Sequence, residues 1–113
     1  MTTLKILYVE DNDDLRDAIA MLLESDHREI TTCVNAEEAL VAVGQHAFDV
    51  LVTDVSLPGL SGIELARRVL QDAPQLRVVL CSGHALGPEV KALGAHVHVL
   101  PKPFEIEELE RLL

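Results

Sequence analysis

Four short apolar runs recur along this chain with amphipathic stretches between them: Ile6-Leu7-Tyr8-Val9, Val50-Leu51-Val52, Val78-Val79-Leu80 and Val97 to Leu100. Runs of this length and character suit strands buried on both faces of a parallel sheet. A fifth run, Ile30 to Val34, is more polar and suits an edge strand. The stretches between them place apolar residues at helical spacing: Leu15, Ile19, Leu22 and Leu23, then Ala36, Ala39, Leu40 and Val43, then Ile63, Ala66, Val69 and Leu70. Asn35 and Ser61 stand where helix caps belong, Gly44 lies near the end of the second helix, and Asp72-Ala73-Pro74 closes the third. Phe104 to Leu113 sets Ile106, Leu109, Leu112 and Leu113 on one stripe, a final helix whose full length the chain end leaves open. The fourth helical stretch is the weakest. Gly83, Gly87 and Pro88 crowd its start and Gly94 follows Leu93, leaving room for about two turns. Five β-α alternations predict an open parallel α/β sheet with right-handed crossovers.

A length of 113 residues suits one packed core and is short for two, so residues 1–113 are expected to form a single domain. With aromatics at 3% of the chain, that core must be built from Leu, Val, Ile and Ala. Nine basic residues against nineteen acidic ones give a net charge of −10, which repels nucleic-acid phosphates, and no local basic patch offsets it. No apolar run approaches the roughly 20 residues needed to cross a bilayer. The start, Met1-Thr2-Thr3-Leu4-Lys5, leads into an apolar stretch too short for a signal peptide, so the expected location is the cytosol. Cys33 and Cys81 each end a strand-like run, where reduced cysteine acts as a small buried hydrophobe; their spacing offers no metal-ligand pattern.

In an open α/β sheet, ligands bind beyond the carboxyl ends of the strands, near the point where strand order reverses. Glu10 and Asp11 follow the first run, Asp54 the third, Ser82 the fourth and Lys102 the fifth. Residues far apart in sequence therefore meet at one sheet edge. Three carboxylates in one place repel each other, a conflict that a hard, oxygen-preferring cation such as Mg²⁺ relieves. An ammonium and a hydroxyl beside them complete what phosphoryl transfer needs: a nucleophile, positive charge, and donors for the equatorial oxygens. Each residue alone has a plainer reading, as an acidic helix start, a turn former, a cap or a surface charge. Their coincidence at strand ends on one edge decides between the readings.

The stretches Ile6 to Asp11, Asp49 to Gly62 (DVLVTDVSLPGLSG), Val78 to Gly83 (VVLCSG) and Leu100 to Phe104 (LPKPF), in this order and at these separations, resemble the response-regulator receiver family over the whole chain. The resemblance implies an α/β, flavodoxin-like (βα)5 three-layer sandwich with a five-stranded parallel sheet in order 2-1-3-4-5. It implies that Asp54 is the phosphoacceptor, that Ser82 binds a phosphoryl oxygen and that Lys102 contacts the phosphoryl group. Mg²⁺ would be held by Asp11, Asp54 and the Ser56 carbonyl, with Glu10 acting through water. The expected partner is a sensor histidine kinase or a histidine phosphotransfer protein, with an effector domain possible beyond this chain. Such a protein is no enzyme toward external substrates; it catalyses only its own phosphoryl transfer and dephosphorylation. The family also implies a cis Lys102-Pro103 peptide and a tight turn at Pro58, Gly59 and Gly62. One position departs: three residues before the lysine, where the family often carries Tyr or Phe, this chain has Val99.

His84 lies two positions past Ser82, at the expected mouth of the site. His96 and His98 share a strand face without a third ligand, and His27 and His46 carry no signal. Among rival functions, a degenerate receiver acting as a phosphorylation-independent binding module would have lost one of the key residues, and none is lost. A flavodoxin-like cofactor binder would want a Ser/Thr/Gly-rich loop after the first strand, where this chain has Glu10-Asp11-Asn12-Asp13. A small hydrolase with an aspartyl-phosphate intermediate would need a further paired acid, and none is evident.

Overall fold

A computed structural model of the chain describes residues 3–113; Met1 and Thr2, part of the leader considered above, lie outside the described residues. Strand β1 (Leu4–Val9) is followed by helix α1 (Asp13–Leu23), β2 (Arg28–Cys33), α2 (Ala36–Gln45), β3 (Val50–Asp54), α3 (Gly62–Asp72), β4 (Arg77–Ser82), a 3-10 turn (Lys91–Leu93), β5 (Val97–Pro101) and α4 (Ile106–Arg111). All five strands pair in parallel in the order β2-β1-β3-β4-β5. The expected topology is the observed one.

Strand alternation sends successive side chains to opposite faces, and the core divides accordingly. Leu7, Val9, Leu51, Val78 and Leu80 pack against α2 and α3, through Ala36, Ala39, Leu65, Ala66 and Val69. Ile6, Tyr8, Val50, Val52, Val79 and Cys81 pack on the other side against Ile19 and Leu23 of α1 and Leu109 of α4. These are the three layers. The caps read from sequence are in place: the Asn35 side chain accepts from the Glu38 N–H at 2.8 Å and that of Ser61 from the Glu64 N–H at 3.1 Å. Asn12 caps α1 in the same way, accepting from the Leu15 N–H at 3.0 Å.

Three expectations are corrected. The fourth helix is not two turns of α-helix but a single 3-10 turn, tied by i to i+3 bonds from Val90 N–H to the Gly87 carbonyl, Lys91 N–H to Pro88, and Leu93 N–H to Val90. Glycine and proline raise the cost of helix there, and Gly94, at a φ of 146°, ends it. The run Val97 to Leu100 forms β5 at the edge where the expected order puts it, but it is not buried on both faces. Leu100 is buried, but Val99 is 39% exposed. Leu22, assigned to the apolar stripe of α1, is 58% exposed; the stripe runs through Leu15, Ile19 and Leu23 instead.

Two glycines differ sharply in what surrounds them. At Gly62, the first residue of α3, a Cβ would lie 2.1 Å from the carbonyl oxygen of Asp54, so the helix start sits directly on the end of β3. At Gly44 in α2 a Cβ would meet nothing within 4 Å. Gly62→Ala is therefore expected to lose about 1–3 kcal/mol through overpacking. Gly44→Ala is expected to gain about 0.5–1 kcal/mol by removing a helical glycine. Urea unfolding of both variants measures the two opposite signs.

Candidate functional site

Sheet register brings the site together. Val9 pairs with Thr53, so Glu10 and Asp54, the next residues of each strand, emerge side by side at the switch point between β1 and β3. Asp54 pairs with Cys81, and Ser82 with Pro101, which places Ser82 and Lys102 one step further out on β4 and β5. The Lys102 N–H donates to the Ser82 carbonyl at 2.8 Å, carrying the ladder past the end of β5. The Lys102-Pro103 peptide is cis.

Glu10, Asp11 and Asp54 each offer a carboxylate oxygen within 4.8 Å of the others, and no other group of three His, Cys, Asp or Glu comes so close among the described residues. Glu10 and Asp54 are buried, at 3% and 8% exposure, while Asp11 is exposed. The Lys102 ammonium lies 3.2 Å from Asp54 Oδ2 and 3.5 Å from Glu10 Oε1. Burial holds the Glu10 carboxyl above the usual carboxylate range, outweighing the Asn12 amide bond and the Lys102 charge that favour its anion. For Lys102, burial pulls downward, but the hydrogen bond and charge of Asp54, with the charge of Glu10, carry the ammonium above its ordinary value. The lysine is thus held charged, and one ammonium stands against Asp54 and Glu10 in a group of three acids. This excess of hard oxygen donors fits a divalent cation with oxygen preference.

Ser82, buried at 4% exposure, sits at the rim with its hydroxyl engaged in both directions by one neighbour. It donates to the His84 carbonyl at 2.9 Å and accepts from the His84 N–H at 3.1 Å. The His84 side chain is exposed, and Ser56 lies exposed in the loop two residues past Asp54. Thr53 Oγ1 donates to the Asp54 carbonyl at 2.9 Å, and the Gly62 N–H to the Val55 carbonyl at 2.9 Å, so the backbone at the end of β3 is held on two sides. The turn of this loop falls on Gly59, at a φ of 76°. Gly62 serves close approach instead, a different role from the tight turn expected of it.

Two residues beside the acids were not among the sequence candidates. The Asn12 N–H donates to Glu10 Oε2 at 3.1 Å, and Arg16 Nη1 donates to the Glu10 carbonyl at 3.0 Å while its Nη2 meets Asp13 Oδ1 at 2.7 Å. An Asn just before the acidic start of α1 is the signal that could have found Asn12, whereas the reach of Arg16 to a main-chain oxygen leaves no signal in the sequence. Beneath the site, burial pushes the Cys81 thiol up to about 12 and the Cys33 thiol up to about 11, so both stay protonated and act as packing, as expected. Along the flank, Leu15 and Ile19 of α1 with Lys102, Pro103 and Phe104 line an apolar groove of about 340 Å³.

Residues 6–113 match the family described as the response regulator receiver domain. The chain belongs to this family. It is 33% identical over 108 residues to the response regulator receiver protein CpdR of Brucella abortus, covering 93% of this chain and 89% of CpdR. It is 36% identical to the transcriptional regulatory protein FixJ of Bradyrhizobium diazoefficiens, covering all of this chain but only 57% of FixJ. The chemotaxis response regulator CheY4 of Vibrio cholerae superposes with a TM-score of 0.86 at 29% identity, over 99% of this chain and 100% of that one. The receiver fold, the acidic group and the signal-transduction class thus agree with the reading made from the motifs.

The electrostatic arrangement has a measurable consequence. Removing Lys102 leaves two buried carboxylates without their ammonium, whereas removing the Asp54 charge relieves repulsion. In metal-free buffer Lys102→Met is expected to lose about 1–2 kcal/mol, less than for a fully buried pair because the lysine is partly exposed. Asp54→Asn should be neutral or stabilising. Equal losses in the two variants, by chemical denaturation, would show that the lysine does not compensate the acids.

Proposed function

We propose that this receiver accepts a phosphoryl group on Asp54 from the phosphohistidine of a sensor kinase or histidine phosphotransfer protein, and so switches an output surface. The observation that carries the reading is the Lys102 ammonium at 3.2 Å from Asp54, within a group of three carboxylates at the sheet's switch point. An Asp54 carboxylate oxygen attacks phosphorus in line. The P–N bond to the donor imidazole breaks, its electron pair returns to the ring nitrogen, and that nitrogen takes a proton from solvent. Lys102 offsets negative charge on the phosphoryl oxygens as they arrive, and Ser82 supplies a hydroxyl donor once it leaves the His84 peptide. The carboxylates of Glu10, Asp11 and Asp54, with the Ser56 carbonyl, would hold Mg²⁺, Glu10 through water. When bound, the ion supplies positive charge for the phosphoryl oxygens.

The apolar groove beside Lys102 supports a protein as the donor, since a partner bringing phosphohistidine to Asp54 must come over this rim and can bury the partly exposed Leu15 and Phe104 as it does so. No helix among the described residues is long and apolar enough to cross a membrane, and the cytoplasm, where sensor kinases expose their phosphohistidine, is the proposed location. The chain acts as one receiver unit, not as an enzyme on external substrates, and hands its state to an effector in the same or another chain.

Incubation with Mg²⁺ and acetyl phosphate, followed by intact mass measurement, tests the reading. Wild type should gain a single phosphoryl adduct that requires Mg²⁺, Asp54→Asn should gain none, and Lys102→Met should react on the order of a hundredfold more slowly. A wild type that neither binds Mg²⁺ nor gains the adduct would point instead to a phosphorylation-independent binding module.

A further inference from the structure

Asp11 is the one exposed acid of the cluster, so packing does not aim it. Its direction must come from the peptides on either side. On the C-terminal side the Asn12 N–H is tied to Glu10 Oε2 at 3.1 Å. On the N-terminal side the Glu10 carbonyl accepts from Arg16 Nη1 at 3.0 Å. The Arg16 side chain reaches this carbonyl from the helix, where the Arg16 N–H bonds the Asn12 carbonyl at 2.9 Å, and it is only 12% exposed. Helix and loop are therefore braced against each other through one residue.

The guanidinium is a rigid planar fork. One arm holds the carbonyl and the other holds Asp13 Oδ1 at 2.7 Å, so Asp13 offsets its charge while its geometry acts on the loop. We infer that Arg16 is a positioning residue of the metal site: by holding the Glu10 carbonyl it aims the carboxylates of Glu10 and Asp11 toward a shared divalent cation. The inference rests on the Mg²⁺ reading given under Proposed function.

Two physical effects of removing Arg16 have opposite signs. A cation close to the acids repels Mg²⁺, so charge alone predicts tighter binding when the arginine is lost. Positioning predicts weaker binding, because freed ligands must be ordered at the moment the ion binds. Mg²⁺ titration of the full chain by calorimetry distinguishes them. Fluorescence of Tyr8, the single tyrosine in a chain without tryptophan, gives an independent readout.

Arg16→Met keeps the aliphatic stem and removes both fork and charge; it is expected to weaken Mg²⁺ binding roughly tenfold. Its phosphorylation rate at saturating Mg²⁺ should stay near that of wild type, since no group touching the phosphoryl is altered. Arg16→Lys keeps the charge but replaces the fork by a point donor, and should show an intermediate loss; it carries the test if Arg16→Met fails to fold by circular dichroism. Unchanged or tighter Mg²⁺ binding in the folded variant overturns the inference, as does a rate deficit that saturating Mg²⁺ does not recover. Wild type that binds no Mg²⁺ overturns the functional reading and this inference together, whereas wild-type binding with unaltered variants overturns the inference alone.

Discussion

Two carboxylates, Glu10 and Asp54, are buried side by side at the ends of neighbouring strands, and one ammonium, Lys102, stands against both. Ions are costly to bury, and like charges at close range add to the cost. Only a scaffold that gains more elsewhere can hold them there. The gain comes from the two apolar layers on the faces of the sheet, where Leu7, Leu51 and Leu80 on one side and Ile6, Tyr8 and Val52 on the other are removed from water almost entirely. Parallel pairing of β1, β3 and β4 then transmits that rigidity to the strand ends, where register alone determines which residues meet.

Connecting segments determine how firmly each member of the site is held. The loop after β3 is closed by the Gly62 N–H on the Val55 carbonyl and by α3 seated on Asp54, so the proposed phosphoacceptor has a fixed backbone. The segment after β4 is different. From Ser82 to Gly94 it forms no α-helix, only 3-10 bonds, and of its side chains only Val90 is buried beyond the strand end. Few buried contacts mean low local stability. The site thus joins a firmly held Asp54 to a weakly held border, and the Ser82 hydroxyl, bonded twice to the His84 peptide, is the link between them.

Much of this was legible in the sequence because the main determinants are local and periodic. Apolar runs at five places, caps at Asn35 and Ser61, and polar residues placed just past strand ends gave an open parallel α/β sheet and brought Glu10, Asp11, Asp54, Ser82 and Lys102 to one edge of it, while the strand order followed from the family resemblance. What failed was non-local. An edge strand and a central strand can carry the same apolar run, so Val97 to Leu100 gave no sign that Val99 faces outward. Leu22 fits the helical spacing of α1 as well as Leu23 does, and only the direction in which α1 lies on the sheet separates them. The stretch around Gly83, Gly87 and Pro88 was recognised as weak, and the cost of its glycines and proline reduces it further than expected, to a single 3-10 turn. Arg16 was missed for a simpler reason: its partner is a main-chain carbonyl, which every residue possesses and no motif records.

Val99 raises the question of how a change at Asp54 reaches the surface. An aromatic ring at that position would have a large apolar area to bury, and its movement between exposed and buried states would carry a corresponding free-energy difference. A valine at the sheet edge has little more to bury and few rotamers to choose between. On the proposed switching role the energy for coupling lies mainly in contacts that change elsewhere, and the Ser82 to His84 pair is a polar connection from the site into the segment after β4, which has no regular helix. Two hydrogen bonds of this kind are worth about 1–3 kcal/mol together, which is the usual scale of a coupling free energy between sites. On the proposed switching role, the two bonds between the Ser82 hydroxyl and the His84 peptide are of the size that a moving ring would otherwise supply.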